Sequence, residues 1–501
     1  MLFTEDACFY AEEIRKNRGG ISALVHQALT NIAKINPKLN AITSIQESYA
    51  KQVAKEYDQA IKNCSDLELA ALPPFYGVPI LLKDLGQNQA GFPSTGGAKL
   101  FKDVIARQDS NFTKAILKAG FIIVGRTNTP EFGFKNISDS QLHGRVNSPL
   151  DLNRNPGGSS GGAAAALKAG IVPIVTASDG GGSIRIPASL SGVIGLKPSR
   201  GRMPVGPENY RGWQGSSVDF ALTKSIRDTL TLYNSLQCYQ PEAPFHLNTT
   251  IINHLTPPTR PFKIAYSIES IQNFPIATEV KERLLATVDQ LKDLGHELIE
   301  DQPAIDGRQL MESYYLINVG VETAAMMVEI DKNLGRPLSH ADMETMSWAS
   351  YQFGLNIKGY QMSQALTYWD HLTFQMESFY QQYDCWLSPT TAGPAPHHGQ
   401  FNLAEELLDK LAHSEDYASN QQAQLIWEMF EASLAWTPYT QLMNLTGQPA
   451  ISLPMNQLSN GLPIGMQFAV GKGQEEKLLS LSLQIEKAGL LDSETIDLCS
   501  K

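Results

Sequence analysis

Residues 156–188 read PGGSSGGAAAALKAGIVPIVTASDGGGSIRIPA. Two glycine-bracketed serine clusters, Ser159 with Ser160 and then Ser183, flank a small-residue helix over 160–169 and an apolar strand, Ile171–Ala177. Glycine is costly to order and packs nothing, so such runs inside a globular chain need a reason. The usual reasons are backbone at positive φ and backbone N–H groups brought close to a reacting atom. Hydroxyl side chains set among them mark a candidate active site. A flexible linker is a poor reading, because linkers do not alternate with buried strands.

Working outward, Val78-Pro79-Ile80-Leu81-Leu82 forms a buried strand that ends in Lys83-Asp84. A helix over 110–119 stops at Gly120, and Phe121–Val124 makes the next strand. The strand–helix–strand alternation predicts an α/β fold on a parallel or mixed sheet. Upstream, residues 21–35 repeat apolar positions at helical spacing and should end before Asn36-Pro37, and a more polar helix follows over 45–62. Helices dominate beyond 225, at 225–236, 278–294, 308–332 and 357–382, with a strand at Lys263–Ser267 after a Pro-rich segment, 241–262. Strands 449–453 and 465–470 have no other sheet to join. One domain over 1–501 is expected, with 75–205 at its centre and 300–430 as a mostly helical cap.

The composition, 42% apolar and 18% charged, is that of a soluble globular chain. A formal charge of −11 argues against nucleic acid or an anionic membrane as partner. Cys8, Cys64, Cys238, Cys385 and Cys499 are scattered, without a C-x-x-C pair or zinc spacing, so reduced thiols and a cytoplasmic place are expected. The acidic N-terminus lacks a signal-peptide pattern, and no apolar run approaches transmembrane length.

Both Gly157-x-Ser159-x-Gly161 and Gly158-x-Ser160-x-Gly162 match a hydrolase nucleophile elbow, but that motif needs a strand directly before the serine. Residues 151–156 read DLNRNP, a loop. Neither glycine cluster carries the G-K-[ST] of a phosphate loop. Lys83 alone reads as a snorkelling side chain or a partner of Asp84. Buried beside hydroxyls, a lysine can instead serve as a neutral base, and a Ser–Lys pair can replace Ser–His in acyl transfer.

Gly77-Val78-Pro79 to Lys83-Asp84, Gly125-Arg126-Thr127-Asn128-Thr129-Pro130-Glu131-Phe132, the 156–187 stretch and Gly192–Pro198 together resemble the amidase signature family, with a weaker match at 461–467. The resemblance implies an α/β/α sandwich around a twisted mixed sheet. It implies a Ser–cisSer–Lys triad with Ser183 as nucleophile, Ser159 as bridge, Lys83 as base and a cis Gly158–Ser159 peptide. Lys83 Nζ should reach Ser159 Oγ, and Ser159 should reach Ser183. Backbone N–H groups of Gly180, Gly181, Gly182 and Ser183 would form the oxyanion hole. No metal and no cofactor are implied. Asp179 and Arg185 read as pins of the nucleophile loop, Ser160 and Ser178 as supporting hydrogen-bonding residues, and His143 as structural. Tyr314, Tyr315 and Trp369 read mostly as core.

Many members of that family carry a side chain where this chain has Gly180, which changes that wall of the pocket. The D-G-G-G-S-I-R-I-P-A-S version is similar to stand-alone amidases of the 6-aminohexanoate cyclic dimer hydrolase type. The expected activity is hydrolysis of a small linear or cyclic amide through an acyl-serine, by a monomer or homodimer. The other enzymatic reading is the glutamine amidase subunit of a tRNA-dependent amidotransferase. A catalytically silent binding protein is disfavoured by the presence of all three triad residues.

Overall fold

The computed structural model of the chain describes residues 1–492 and 494–498. Its strands are β1 Ile42–Ile45, β2 Pro79–Lys83, β3 Ile122–Thr127, β4 Asp139–Ser140, β5 Gly144–Arg145, β6 Val175–Asp179 and β7 Ile194–Lys197. They continue with β8 Val218–Thr223, β9 Lys263–Tyr266, β10 Glu297–Glu300, β11 Cys385–Pro389, β12 Ala450–Gln457 and β13 Pro463–Ala469. All but the β4–β5 pair join one 11-stranded sheet in the order β1-β3-β2-β6-β8-β7-β12-β13-β11-β9-β10. β3, β2 and β6 run parallel, as do β11, β9 and β10, while β8, β7, β12 and β13 pair antiparallel. The fold is therefore α/β on a mixed sheet, as the alternation of elements predicted.

β2, β3, β7 and β11 are buried along their whole length, which is why none of them alternates apolar with polar residues and why β2 reads as an almost continuous apolar run. The helix Gly161–Lys168 is buried at every residue. Its small side chains let the chain cross closely: a Cβ on Gly162 would stand 2.5 Å from Ala41 O and 2.6 Å from Asn128 N.

Several elements depart from the sequence reading. The strand expected at Ile171–Ala177 begins only at Val175 and extends to Asp179. Pro173 has no N–H for a ladder, and Gly170 turns the chain at φ 65°. β6 therefore ends directly on Gly180. The first long helix does not stop before Asn36-Pro37 but runs from Ile21 to Leu39. Pro37 sits in its last turn, where the one N–H bond it forgoes falls at the helix end with only two helical residues after it, and Asn40 closes the end at φ 52° with its N–H on Asn36 O.

The region 300–430 is not purely a cap, because Cys385–Pro389 inserts into the central sheet between β13 and β9. Around that strand it is helical, including Gly307–Tyr314, a π-turn segment Tyr315–Val321, Glu322–Leu334, Gly359–Gln382 and Ser419–Trp436. Residues 237–262 form neither helix nor strand. Cys8, Cys64, Cys238 and Cys385 are unpaired, while Cys499 lies outside the described residues. Among the described residues no helix is long and apolar enough to cross a membrane.

Candidate active site

Lys83 is the last residue of β2 and is fully buried. Its backbone N–H donates to Gln87 Oε1 (2.9 Å) and Thr176 Oγ1 (3.0 Å), which fixes the strand end. From there Nζ reaches Ser159 Oγ at 2.7 Å and Ser178 Oγ at 2.9 Å. Burial disfavours the ammonium and brings the Lys83 pKa down to about 7, against the opposing pull of the Asp219 and Asp179 charges. The fully buried guanidinium of Arg126 donates to Lys83 O (3.3 Å) and Gln87 O (3.0 Å) and holds the turn after the strand.

Ser159 lies in the loop before the buried helix, and its peptide bond with Gly158 is cis. Ser138 and Asn155 clamp that loop. Ser138 Oγ donates to Gly157 O (3.1 Å) and accepts from the Gly161 N–H (3.1 Å), and Asn155 Oδ1 accepts from the Gly157 N–H (3.0 Å). Ser160 Oγ donates to Ser178 O at 3.3 Å, tying this loop to the end of β6.

Ser183 has 9% of its surface exposed, against 2% for Ser159, so it is the more open of the two residues. The link Lys83–Ser159 is formed, but among the described residues the hydrogen bond of Ser159 Oγ is the one to Lys83, and none closes to Ser183.

The loop carrying Ser183 is pinned from inside. Asp179 accepts from the N–H groups of Gly182 (2.7 Å) and Ile184 (3.2 Å), and from Arg185 Nε and Nη2 (each 2.9 Å). Arg185 also donates to Gln467 Oε1 and Asn444 Oδ1, both at 2.7 Å. Burial by itself raises the Asp179 carboxyl, but Arg185 and Asn444 outweigh it and hold it well below the usual carboxylate range. The Gly182 N–H, expected among the oxyanion donors, donates to Asp179 Oδ1 here. Thr440 Oγ1 donates to Gly181 O (2.6 Å) and steadies the loop from the other side.

His143 stays apart from the serines, with Nε2 at 2.9 Å from Thr95 Oγ1 and 3.7 Å from Asp84 Oδ2. Among the described residues no group of three His, Cys, Asp or Glu could hold a metal ion. A cavity of about 250 Å³ opens nearby beneath Ile137, Met346, Leu403, Met429 and Phe430, but Lys83, Ser159 and Ser183 do not line it.

Asp219, Gln87, Asn444 and Thr440 were not found by sequence reasoning, and Arg126 entered it only as part of a motif, without a role. Gln87 carried a weak signal, four residues after Lys83. Asp219 lies opposite Ser178 on β8, accepts from Gln87 Nε2 (2.9 Å), and is raised by burial to about 6. Asn444 and Thr440 come from far down the chain and carried no signal.

The family model described as Amidase matches residues 23–479. A lipoamidase of Enterococcus faecalis is 38% identical over 94% of this chain, which spans 62% of that protein's length. The 6-aminohexanoate-cyclic-dimer hydrolase of Paenarthrobacter ureafaciens is 29% identical, covering 97% of this chain and 94% of that one. Among solved structures, a 6-aminohexanoate cyclic dimer hydrolase complexed with substrate superposes with a TM-score of 0.84 at 26% identity, over 98% of each chain. A family match of that extent and a sheet of this topology lead to one conclusion: the chain belongs to the amidase family and is a hydrolase of carbon–nitrogen bonds in amides other than peptide bonds.

Proposed function

We propose that the chain hydrolyses a small linear or cyclic carboxylic amide through an acyl-Ser183 intermediate, with Lys83 as base and Ser159 as the proton bridge. A serine hydroxyl is a poor nucleophile until a base takes its proton. The observation that carries the reading is the buried lysine: Nζ stands 2.7 Å from Ser159 Oγ in surroundings that bring it to about 7. Neutral Lys83 draws the proton from Ser159, which takes one from Ser183 once the Ser183 hydroxyl turns towards it. Ser183 Oγ then attacks the carbonyl carbon, and the electron pair of the C=O bond moves onto oxygen.

The N–H groups of Gly180, Gly181 and Ser183 are the donors for that oxyanion, one such donor being worth about 2.7–4 kcal/mol. Collapse breaks the C–N bond, and the proton held by Lys83 returns to the leaving nitrogen. Water cleaves the acyl-Ser183 ester by the same path reversed. The unpaired cysteines suit a cytoplasmic setting.

The test is intact-mass measurement after a fluorophosphonate probe, followed by peptide mapping. Ser183→Ala should take no label. Ser159→Ala and Lys83→Ala should label slowly, with turnover lowered about 10²–10⁴-fold, the span of general-base catalysis. Label on Ser159 or Ser160, or undiminished label in Ser183→Ala, refutes the assignment. Turnover of simple amides by the purified chain alone separates this reading from a glutamine amidase subunit that needs a partner.

A further inference from the structure

The glycines before Ser183 are crowded by side chains from distant parts of the chain. A Cβ on Gly180 would stand 2.6 Å from the Trp213 indole, one on Gly181 would strike Tyr314 Oη, and one on Gly182 would strike Thr440 Oγ1. Thr440 is fully buried, but Trp213 and Tyr314 each keep part of their surface open. Trp213 meets Tyr314 edge-on, centroids 6.5 Å apart, and stacks with the partly open Phe134 at 6.2 Å and 26°. A continuous aromatic face thus borders the open side of the loop that presents Ser183.

The indole is held there at a cost to its own backbone. Trp213 and Gln214 take φ values of 50° and 51°, in the left-handed region that side chains other than glycine rarely adopt. Hydrogen bonds from the helical region secure them. Gln214 Nε2 donates to Glu322 Oε1 (2.7 Å), Ser216 Oγ donates to Trp213 O (2.8 Å), and Asn318 Nδ2 donates to Ser216 Oγ (3.0 Å). Asn444 Nδ2 donates both to Ser216 O (3.0 Å) and to Asp179 O (3.0 Å). One side chain therefore fixes the Trp213 loop and the Ser183 loop to each other, which sets the gap between ring and nucleophile.

We propose that Trp213 is the specificity-determining residue on the acyl side, admitting apolar acyl groups that are unbranched at the carbon next to the carbonyl. The proposal rests on the reading of Ser183 as nucleophile. With the carbonyl oxygen turned to the loop N–H groups, the next carbon of the acyl group lies against the flat indole. An extended methylene chain runs along that face, whereas a branch needs the volume the ring already fills. A polar group there would lose water and find no partner in the aromatic face.

The test compares kcat/KM for hexanamide and its α-methyl and α,α-dimethyl derivatives. The wild type should favour hexanamide by about 10–200-fold per branch, the range a single misfitted methyl commands. Trp213→Ala should narrow that ratio about tenfold or more by raising kcat/KM for the branched amides, and Trp213→Phe should narrow it less. Gly180→Ala should lose activity on all three amides while keeping the wild-type circular dichroism spectrum, and the Gly180→Ala/Trp213→Ala double variant should regain it. An equal loss on all three amides in Trp213→Ala, or a double variant no better than Gly180→Ala, overturns the proposal while leaving the amidase reading intact. A wild type that cleaves none of the three, together with absent probe labelling of Ser183, overturns both.

Discussion

Replacing Asp219 by asparagine interrogates the base through a charge that touches neither serine. Burial brings Lys83 from 10.5 to about 7, and the negative charge of Asp219 works against that fall by favouring the ammonium. At pH 8 a lysine at 10.5 would be neutral in roughly 0.3% of molecules, and one at about 7 in roughly nine-tenths, so burial enlarges the active fraction about 300-fold. Protonated Lys83 cannot accept a proton, so kcat/KM should fall as the pH drops through about 7 and stay level above it. Asp219→Asn keeps an oxygen for Gln87 Nε2 but deletes the charge. The limb should then move to lower pH by about one unit, the low end of what one nearby charge does.

The assay is ammonia release from a primary amide between about pH 5 and 9, with the folded fraction followed by circular dichroism. A wild-type limb near 10, or a limb that moves upward in Asp219→Asn, would sink the lysine-base argument. The same shift has a folding counterpart of known sign. Between about 7 and 10.5 the unfolded chain binds a proton at Lys83 that the folded chain does not. This group alone therefore makes stability rise with pH across that window, by about 1.4 kcal/mol per unit.

Two further outcomes follow from the loop and its surroundings. Arg185→Met strips a buried carboxylate of its guanidinium and should destabilise the fold by about 3–5 kcal/mol, with the double variant Asp179→Asn/Arg185→Met losing less than Arg185→Met. Thermal melts read this directly, and an unchanged midpoint in Arg185→Met would show that the pair does not hold the loop. His143→Gln keeps a group able to bond Thr95 and should leave both kcat/KM and its pH limb within about threefold of wild type, because removing a general base would cost at least about a hundredfold. A hundredfold loss would return the histidine to the mechanism.

What could be read from the chain divides along physical lines. β2 was legible because a buried strand is a bare apolar run, and its last residue, Lys83, is a charge set against that run. The glycine clusters were legible because composition alone marks them. The start of β6 was misplaced by four residues: Ile171–Ile174 are as apolar as the strand, and only the missing donor of Pro173 tells them apart. β11 was missed inside a helical region because five buried residues carry no period at all. β10, an edge strand with Glu297 and Glu300 at its ends, carries only Leu298 and Ile299 between them, too short an apolar run to mark a strand. Asn444, Thr440 and Trp213 act only through approaches between segments far apart in sequence, and one sequence holds no record of those.

The sheet order explains why the chemistry gathers where it does. β2 and β6 are parallel neighbours, with Leu81 opposite Val175, so both carboxyl ends open on the same edge, Lys83 from one and Ser178-Asp179 from the other. Open α/β sheets place their sites at such ends. The next strand, β8, reverses direction and brings Asp219 opposite Ser178, the serine that accepts from Lys83 Nζ. An additional parallel strand would have had to enter from the opposite edge, ending instead of beginning near the lysine. The chain passes through the helix Arg185–Ser191 and β7 before β8 returns beside β6, and that antiparallel return delivers a carboxylate to the base. The geometry depends on register, since side chains alternate faces along a strand. A one-residue slip of β8 would carry Asp219 to the other face and leave Lys83 with Asp179 as the remaining negative charge acting on it.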